Sequence, residues 1–528
     1  MQRAQPGPGR ARLESPQAAA AEGSLHRLAL GDSAARGRLA TAGRPLARRR
    51  VLQLVAGTAA ALVTGCARGF GAAAPVRGSG VIELTMHADT DSVTQSTTLL
   101  SLLQQAADGF SAANKGLRVT VTGFMQGLGG AIPAIIAGTG PDIIPDWYAP
   151  PYWTSGTLLA LDPYIQADNL QTDRWSTGQW GVMHQPFGTF MVPAYFSPMV
   201  FAVNLSAFDA AGQSYPDTGW DHKEFVTVCE QMTAHTGQTT RYGAAFGFQT
   251  NTYKSGNWLF RAFDGSLMNT THTQETLSSP RSLAAGEWLF QQLIWPGIAT
   301  DRNTGTSPAA MLSGKVVMTT IWDGIVLNYA NAIRQSLKWR IYPYPVFPAG
   351  RMTSGTEDFY GINASTKHPD QAWLLLKWLS YEPDWQRSLM RMGAVPPALN
   401  SLWGEWETVV TQVIPFLKGA GLSWFGDAAL KGYAIPYGYY RYGDLQADQI
   451  AAGVLGKIWT RALDVPGGFK QSDQAVNSYL ASSAAQQTTT LAELVSARKK
   501  TDARLAAMFA QGGGTEGAVG ASGVQQAP

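Results

Sequence analysis

An aspartate and two aromatic residues, Asp146, Trp147 and Tyr148, directly follow a short apolar run. A carboxylate accepts hydrogen bonds from ligand hydroxyl groups, and aromatic rings cover the apolar faces of a ligand. The chain has 17 Trp, 18 Tyr and 20 Phe, which favours recognition by ring faces, although most Trp side chains are expected in the core. The three residues therefore indicate a ligand-binding edge.

The segment that positions these residues is 132–148. It begins as a short apolar helix, and Gly138 is suited to end that helix in a left-handed conformation. Pro141 then forces an extended path, and the apolar pair at 143–144 predicts a short buried strand. Ligands of open α/β sheets bind outside the carboxyl ends of the strands, which is where Asp146 would lie.

The preceding chain has the pattern of a doubly wound α/β fold. Apolar and polar residues alternate over 81–87 and again over 117–121, which predicts two strands. Between them, 97–113 carries an apolar stripe at helical spacing. This β-α-β order, continued by the strand at 143–144, predicts a sheet with helices on both faces.

Catalytic motifs are absent from the sequence. It contains no Gly-x-Ser-x-Gly, no His-Glu-x-x-His and no Cys-x-x-Cys, and its 7 His show no metal-like spacing, so we expect no cofactor and no metal. A two-carboxylate glycoside hydrolase stays open, because that chemistry needs only two suitably spaced acids. Asp142, Asp146 and Asp323 are the candidates, although Asp142 is also suited to a backbone turn.

The amino terminus has the features of an export signal. Residues 1–46 lack apolar periodicity, Arg48 to Arg50 are basic, and a short apolar run at 51–63 leads to a small residue before Cys66. The run is too short for a membrane span, which needs about 20 residues. Two details are similar to known bacterial signals: the arginine pair resembles a twin-arginine signal, and Leu-Val-Thr-Gly-Cys resembles a lipobox, which implies a lipid on Cys66.

Composition bounds the rest of the protein. Residues 66–528 are too many for a single compact core and suit two lobes. Hydrophobic residues make up 45% and charged residues 15%, as in globular proteins. Much of the +3 net charge comes from the leader, and no basic patch interleaved with aromatics follows it, which excludes nucleic acid as a partner. The second cysteine, Cys229, lies in a predicted helix as a small buried apolar residue.

Three segments together resemble a known family. They are Gly-Thr-Gly-Pro-Asp-Ile-Ile at 138–144, Ser-Gly-Thr-Leu-Leu-Ala-Leu-Asp-Pro-Tyr-Ile at 155–165 and Lys-His-Pro-Asp-Gln-Ala-Trp at 367–373. These segments are similar to those of extracellular solute-binding proteins of ABC importers (family 1), in the branch that includes maltodextrin-binding proteins. The resemblance implies an α/β, two-lobe periplasmic-binding-protein-like (type II) fold with hinge crossovers and an interlobe ligand cleft.

The resemblance also implies a division of the chain. The expected parts are a leader and signal peptide (1–65), a flexible tether (66–80), a first part of lobe 1 (81–198), a first part of lobe 2 (199–348), a return to lobe 1 (349–392), C-terminal helices of lobe 2 (393–511) and a disordered tail (512–528).

The implied function is capture of a sugar or oligosaccharide and its delivery to the transmembrane subunits of an ABC permease, without catalysis. The protein would be a monomer outside the cytoplasm, anchored to the bacterial cell membrane by its amino-terminal lipid. The expected ligand-binding residues are Asp146, Trp147, Tyr148, Tyr195, Ser197, Tyr253, Trp258, Trp322, Asp323 and Tyr360. Two alternatives remain: a secreted carbohydrate-active hydrolase, and the same fold binding a sugar phosphate such as glycerol phosphate through Arg351 or Arg441.

Overall fold

A computed structural model describes most of the chain after the leader. The described residues are 80–89, 96–124, 134–135, 137–146, 157–185, 188–236, 239–245, 256–270, 273–300, 308–321, 333, 336–393, 395–435 and 445–483. All of them belong to one compact unit, residues 73–528. Among them, no helix has the length and apolar character needed to cross a membrane.

The described strands and helices are interspersed along the chain. The strands are β1 (Ile82–Asp89), β2 (Leu117–Phe124), β3 (Ile143–Asp146), β4 (His184–Gln185), β5 (Gly188–Thr189), β6 (Met191–Pro198), β7 (Val200–Asn204), β8 (Ala234–Thr236), β9 (Thr239–Ala245), β10 (Ala299–Thr300), β11 (Val316–Ile321), β12 (Trp339–Tyr342), β13 (Val346–Phe347), β14 (Gly350–Arg351), β15 (Thr353–Ile362) and β16 (Ala434–Ile435). The helices are α1 (Ser96–Ala113), α2 (Asp162–Ala167), α3 (Thr177–Met183), α4 (Leu205–Ala211), α5 (His222–Met232), α6 (Asn257–Ala262), α7 (Pro280–Leu289), α8 (Pro308–Leu312), α9 (Pro369–Tyr381), α10 (Pro383–Gly393), α11 (Trp403–Val413), α12 (Ser423–Leu430), α13 (Leu445–Trp459) and α14 (465–483).

The first sheet has the strand order β16-β15-β3-β1-β2. A sixth strand, β6, pairs with the edge of β15 that faces away from β3. β1 is parallel to β2 and β3, whereas β15 is antiparallel to both β3 and β6. The apolar stripe of α1 is buried with the inward residues of β1 in one cluster. The predicted β-α-β order is therefore confirmed, as is the left-handed Gly138, which has φ +73°.

The second sheet has the order β10-β9-β11-β7-β12, with β8 on β9. β9 is parallel to β10 and β11, and β7 is antiparallel to β11 and β12. Helix α5 packs against β9 and begins at a capping box, in which the Asp221 carboxylate accepts from the Glu224 N–H and the Glu224 side chain accepts from the Asp221 N–H. Cys229 on this helix is fully buried, as predicted.

Two chain segments cross between the sheets, and a third runs along them. β6 belongs to the first sheet and β7 to the second, with Met199 between them. The chain returns from β12 through the β13–β14 hairpin to β15. The third segment touches both sheets, because the Ala420 carbonyl accepts from Ile341 of β12 and β16 pairs with β15. The described molecule is thus two-lobed, with crossovers between the lobes.

The late helices divide between two apolar clusters. We predicted that residues 393–511 form the C-terminal helices of lobe 2 as a whole. In the structure, α11 packs on α10 and α12 on β6, through rings of the first cluster such as Trp406 and Phe425. Buried residues of α13 and α14 belong to the second cluster. The aromatic side chains of 403–425 fill space beside the first sheet, and sequence order alone does not reveal this.

Candidate functional site

The parallel strands of each sheet share one carboxyl edge. In the first sheet this edge contains Asp89, Phe124 and Asp146. In the second sheet, β9, β10 and β11 also run parallel and end at one edge. The segments that follow these six strands lie outside the described residues: 90–95, 125–133, 147–156, 246–255, 301–307 and 322–332.

Strand register places the two carboxyl edges on either side of the crossovers. Asp146, at the end of β3, pairs with Phe359 of β15. Four residues earlier in β15, Gly355 pairs with Pro198 at the end of β6. Two residues after Pro198 the chain enters β7, whose first residue pairs with Ile321 at the end of β11. These steps add up to six residues between the end of β3 and the end of β11. At about 3.3 Å per residue, the two ends are at most about 20 Å apart along the strand direction.

Three of the predicted ligand-binding residues flank this junction. Tyr195 is half-buried on β6, and its carbonyl accepts from Gln179 Nε2 at 3.2 Å. Ser197 is fully buried one residue before the end of β6, and Tyr360 is buried on β15 opposite Pro145 of β3. All three residues lie beside the crossover, and their contact with a ligand stays a prediction.

The role predicted for Trp258 needs correction. Its side chain is 1% exposed, and its ring meets Tyr344 and Phe347 at centroid distances of 4.9 and 5.8 Å. Helix α6 is short and turns most of its side chains into the second cluster, so an aromatic residue next to its start becomes part of the core. Trp258 has no free ring face for a ligand in this structure.

The remaining predicted residues lie where the structure gives no side chain. For Asp146 only the backbone is described, at the end of β3. The predictions for Trp147, Tyr148, Tyr253, Trp322, Asp323 and the lipidation site Cys66 fall outside the described residues. In sequence, Trp147 follows the end of β3 directly and Trp322 follows the end of β11, so both predictions concern chain that leaves the two carboxyl edges.

A family model for bacterial extracellular solute-binding proteins matches residues 94–383, more than half of the chain. The chain belongs to this family. The membership confirms the resemblance seen in the sequence and places the protein outside the cytoplasm. No curated protein sequence is similar enough to count as a match.

Solved structures share the fold of this solute-binding protein at low sequence identity. A cyclic α-maltosyl-1,6-maltose binding protein from Arthrobacter globiformis is 16% identical, with a TM-score of 0.64 over 76% of this chain and 99% of the other. An ABC substrate-binding protein from Listeria monocytogenes, solved with cycloalternan, is 15% identical with a TM-score of 0.61 over the same shares. A sugar-binding protein from Xanthomonas citri is 15% identical, with a TM-score of 0.62 over 76% and 98%. At this identity the likeness establishes the two-lobe α/β fold.

In this solute-binding protein, the Asp142 carboxylate accepts hydrogen bonds from two other parts of the first lobe. Its Oδ2 accepts from the Thr85 N–H at 2.7 Å and from the Thr85 hydroxyl at 2.9 Å, and its Oδ1 accepts from the Thr366 hydroxyl. The carboxylate thus joins the start of β3 to β1 and to the loop after β15. Since both oxygens are occupied inside the lobe, Asp142 is not placed to act as a hydrolase acid.

Arg351 is similarly engaged. Its guanidinium donates to the carbonyl oxygens of Tyr344 and Thr218, and lies 5.6 Å from the Trp424 ring centroid. Partial burial lowers the pKa of this group from its usual high value, because desolvation disfavours the cation. The sugar-phosphate alternative assigned the phosphate to Arg351 or Arg441, and the first is occupied by backbone while the second lies outside the described residues.

Two features escaped the sequence analysis. The hydrogen-bond partners of Asp142 lie 57 and 224 residues away in sequence. The Pro-Asp motif by itself therefore does not reveal which residues bind the carboxylate. The β16 strand has only two residues and carries no recognisable pattern. Among the described residues, no group of three or more His, Cys, Asp and Glu is arranged to hold a metal ion.

Proposed function

We propose that this solute-binding protein captures a sugar or oligosaccharide between its lobes and delivers it to an ABC permease. The observation that carries the proposal is the strand register, which sets the carboxyl edges of the two sheets on either side of the crossovers. Ligands of α/β sheets bind at such edges. A ligand that touches both edges favours closure of the lobes about the crossovers.

Two observations support a carbohydrate ligand. The structural neighbours include one protein solved with cycloalternan and one named for binding cyclic α-maltosyl-1,6-maltose. The chain itself places aromatic residues directly after two strands of the carboxyl edges, at Trp147 and Trp322. Ring faces cover the apolar faces of sugars, and carboxylates bind their hydroxyl groups.

We assign the ligand contacts by lobe. Asp146, Trp147 and Tyr148 supply the first lobe, Tyr253, Trp322 and Asp323 the second, and Tyr195, Ser197 and Tyr360 the crossover side. Trp258 is left out because it belongs to the core. The division of the chain at residues 198–199 and 348–349 is part of the proposal. It is supported by the change of sheet between β6 and β7 and between β12 and β15.

We further propose that the protein is a monomer without enzymatic activity, held at the membrane by a lipid on Cys66 after twin-arginine export. The Gly/Ala-rich stretch that follows Cys66 would act as a flexible tether. Mass spectrometry of the membrane-extracted protein tests the anchor: the amino-terminal peptide should begin at Cys66 and carry acyl chains. An unmodified peptide beginning elsewhere would contradict it.

A ligand panel tests the function. The purified protein is heated with oligosaccharides, monosaccharides, sugar phosphates and polyamines, and every ligand is recovered and examined for cleavage. A ligand at 100 times its dissociation constant adds about 2.7 kcal/mol of stability, which gives a readable rise in melting temperature. Intact glycan with a raised melting temperature supports binding, whereas a cleaved glycan indicates the hydrolase alternative.

Trp322 gives the sharpest single-residue test of the site. Trp322→Ala should weaken sugar binding at least roughly fivefold, since a stacking contact contributes about 1 kcal/mol or more. Phe416→Ala is the matched control, because Phe416 is an exposed aromatic residue in a short 3-10 helix and belongs to none of the segments that follow the strand ends. Equal affinity of the Trp322 variant and the native protein in calorimetric titration would remove Trp322 from the site.

A further inference from the structure

Three buried hydroxyl groups have no hydrogen-bond partner among the described residues: those of Thr320, Ser354 and Tyr433. Thr320 and Ser354 are each 1% exposed. In folded proteins the large majority of buried polar side-chain atoms are paired, because an unpaired buried hydroxyl loses its bonds to water without replacement. Among the described residues, the other exceptions include the indole nitrogens of Trp385, Trp403 and Trp459 and the Asn400 Oδ1, which lie inside the lobes. The three hydroxyls differ from these because their residues meet near one junction.

Backbone contacts place all three residues near the same crossover residue, Met199. The Ser354 carbonyl accepts from the Met199 N–H at 2.7 Å. Thr353, next to Ser354, donates its N–H to the carbonyl of Tyr433 at 2.9 Å. Thr320 pairs in register with Phe201, two residues after Met199. The unpaired groups therefore lie where the chain passes from one sheet to the other.

A neighbouring hydroxyl shows that pairing is possible at this junction. The Thr353 hydroxyl donates to the Met199 carbonyl at 2.7 Å and is as deeply buried as Ser354. Thr353 and Ser354 are adjacent in β15, so their side chains project to opposite faces. The lack of a partner at Ser354 is thus not a general property of this strand.

We propose that these three hydroxyls favour the ligand-closed arrangement of the lobes, because they are unpaired in the arrangement seen here and gain partners when the crossovers rotate. The proposal rests on the capture of a ligand by lobe closure. A difference in interaction free energy between two arrangements shifts their populations. A group that is unsatisfied in one arrangement and paired in the other supplies such a difference.

A change in the population of the closed, binding-competent arrangement affects the apparent affinity for every ligand. If the closed arrangement is less favourable, the apparent dissociation constant of every ligand rises by the same factor. A direct contact between hydroxyl and ligand would instead change the affinity by a factor that depends on the ligand. The two explanations therefore differ in a quantity that titration measures.

The test uses three variants that remove a hydroxyl and nearly keep the shape: Thr320→Val, Ser354→Ala and Tyr433→Phe. Each should raise the melting temperature of the ligand-free protein and raise the dissociation constants of at least two chemically different ligands by a common factor of about three or more. Thr353→Val is the matched control. It should lower the ligand-free melting temperature, since it leaves the Met199 carbonyl unpaired.

The outcomes separate the proposals. Unchanged dissociation constants with a raised melting temperature overturn the hinge role, because the hydroxyls would then be unpaired in both arrangements. Factors that differ between ligands overturn it in favour of direct contact. If the native protein binds no sugar, the proposed function fails, and the same comparison is made with whichever solutes of the panel do bind.

Discussion

The hydrogen bonding of buried hydroxyl groups differs between the interiors of the lobes and the junction that joins them. In the first lobe, the Asp162 carboxylate accepts from the N–H and the hydroxyl of Thr189. In the second lobe, the Ser472 hydroxyl donates to buried Glu275 at 2.5 Å, across 197 residues of sequence. At the junction, three buried hydroxyls have no described partner. In these examples the hydroxyl groups inside the lobes are paired, and those near the junction are not. Other kinds of polar atom in the described part of the chain are unpaired inside the lobes, namely the indole nitrogens of Trp385, Trp403 and Trp459 and the Asn400 Oδ1.

The largest loss of stability is expected for a change in the aromatic core of the second lobe. Trp258→Ala should lower the free energy of unfolding by about 3–5 kcal/mol, because it removes a large ring from a packed site. Chemical denaturation measures this change. Trp258→Phe, which retains an aromatic ring, should lose less. A stable Trp258→Ala protein that has lost ligand affinity would instead return Trp258 to the binding site.

The polar interior of the first lobe should be almost as sensitive. Asp142→Ala removes the acceptor of three hydrogen bonds and should lower the free energy of unfolding by about 3 kcal/mol. Asp142→Asn should lose less, since the amide oxygen still accepts. If Asp142→Asn retains full stability and abolishes cleavage of a glycan, the hydrolase alternative gains its acid and our structural role for Asp142 is wrong.

A substitution at the junction should lower the stability less than the substitutions inside the lobes. A Cβ at Gly355 would lie 2.5 Å from the Phe196 ring, so Gly355→Ala must displace that ring at a cost of about 1–3 kcal/mol. Gly453→Ala is the matched control, because that helical glycine has open space around its Cβ position and should gain stability. Equal melting temperatures for the two variants would show that the junction is not tightly packed.

The surface of the second lobe should show the smallest effect. The N–H of Glu224 lowers the pKa of the Asp221 carboxyl below its usual 3.8. A carboxyl with a lowered folded pKa stabilises the protein above its unfolded pKa, and that contribution is lost as the pH falls through the folded value. Asp221→Ala should therefore lower the free energy of unfolding by about 1 kcal/mol at neutral pH and have no effect in strong acid. Unfolding curves at both pH values check this.

Local patterns predicted those parts of the fold that depend on neighbouring residues. The strands β1 and β2, helix α1 and the left-handed Gly138 all follow from residues a few positions apart. Their energetics are set by periodic burial and by backbone groups of the same turn, so a single sequence contains them. The candidate site was predicted less well: Trp258 carried the residue type of a ligand-binding ring, and only packing shows that it is core.

The sequence by itself determined the α/β class and the strand that ends at Asp146, because each rests on composition, spacing or short motifs. Tertiary structure alone decided which groups meet across long stretches of chain. It brought Thr366 to Asp142, set Arg351 against carbonyl oxygens and left three hydroxyls unpaired near Met199. Long-range hydrogen bonds and ring packing depend on where whole elements lie, and no local pattern encodes that position.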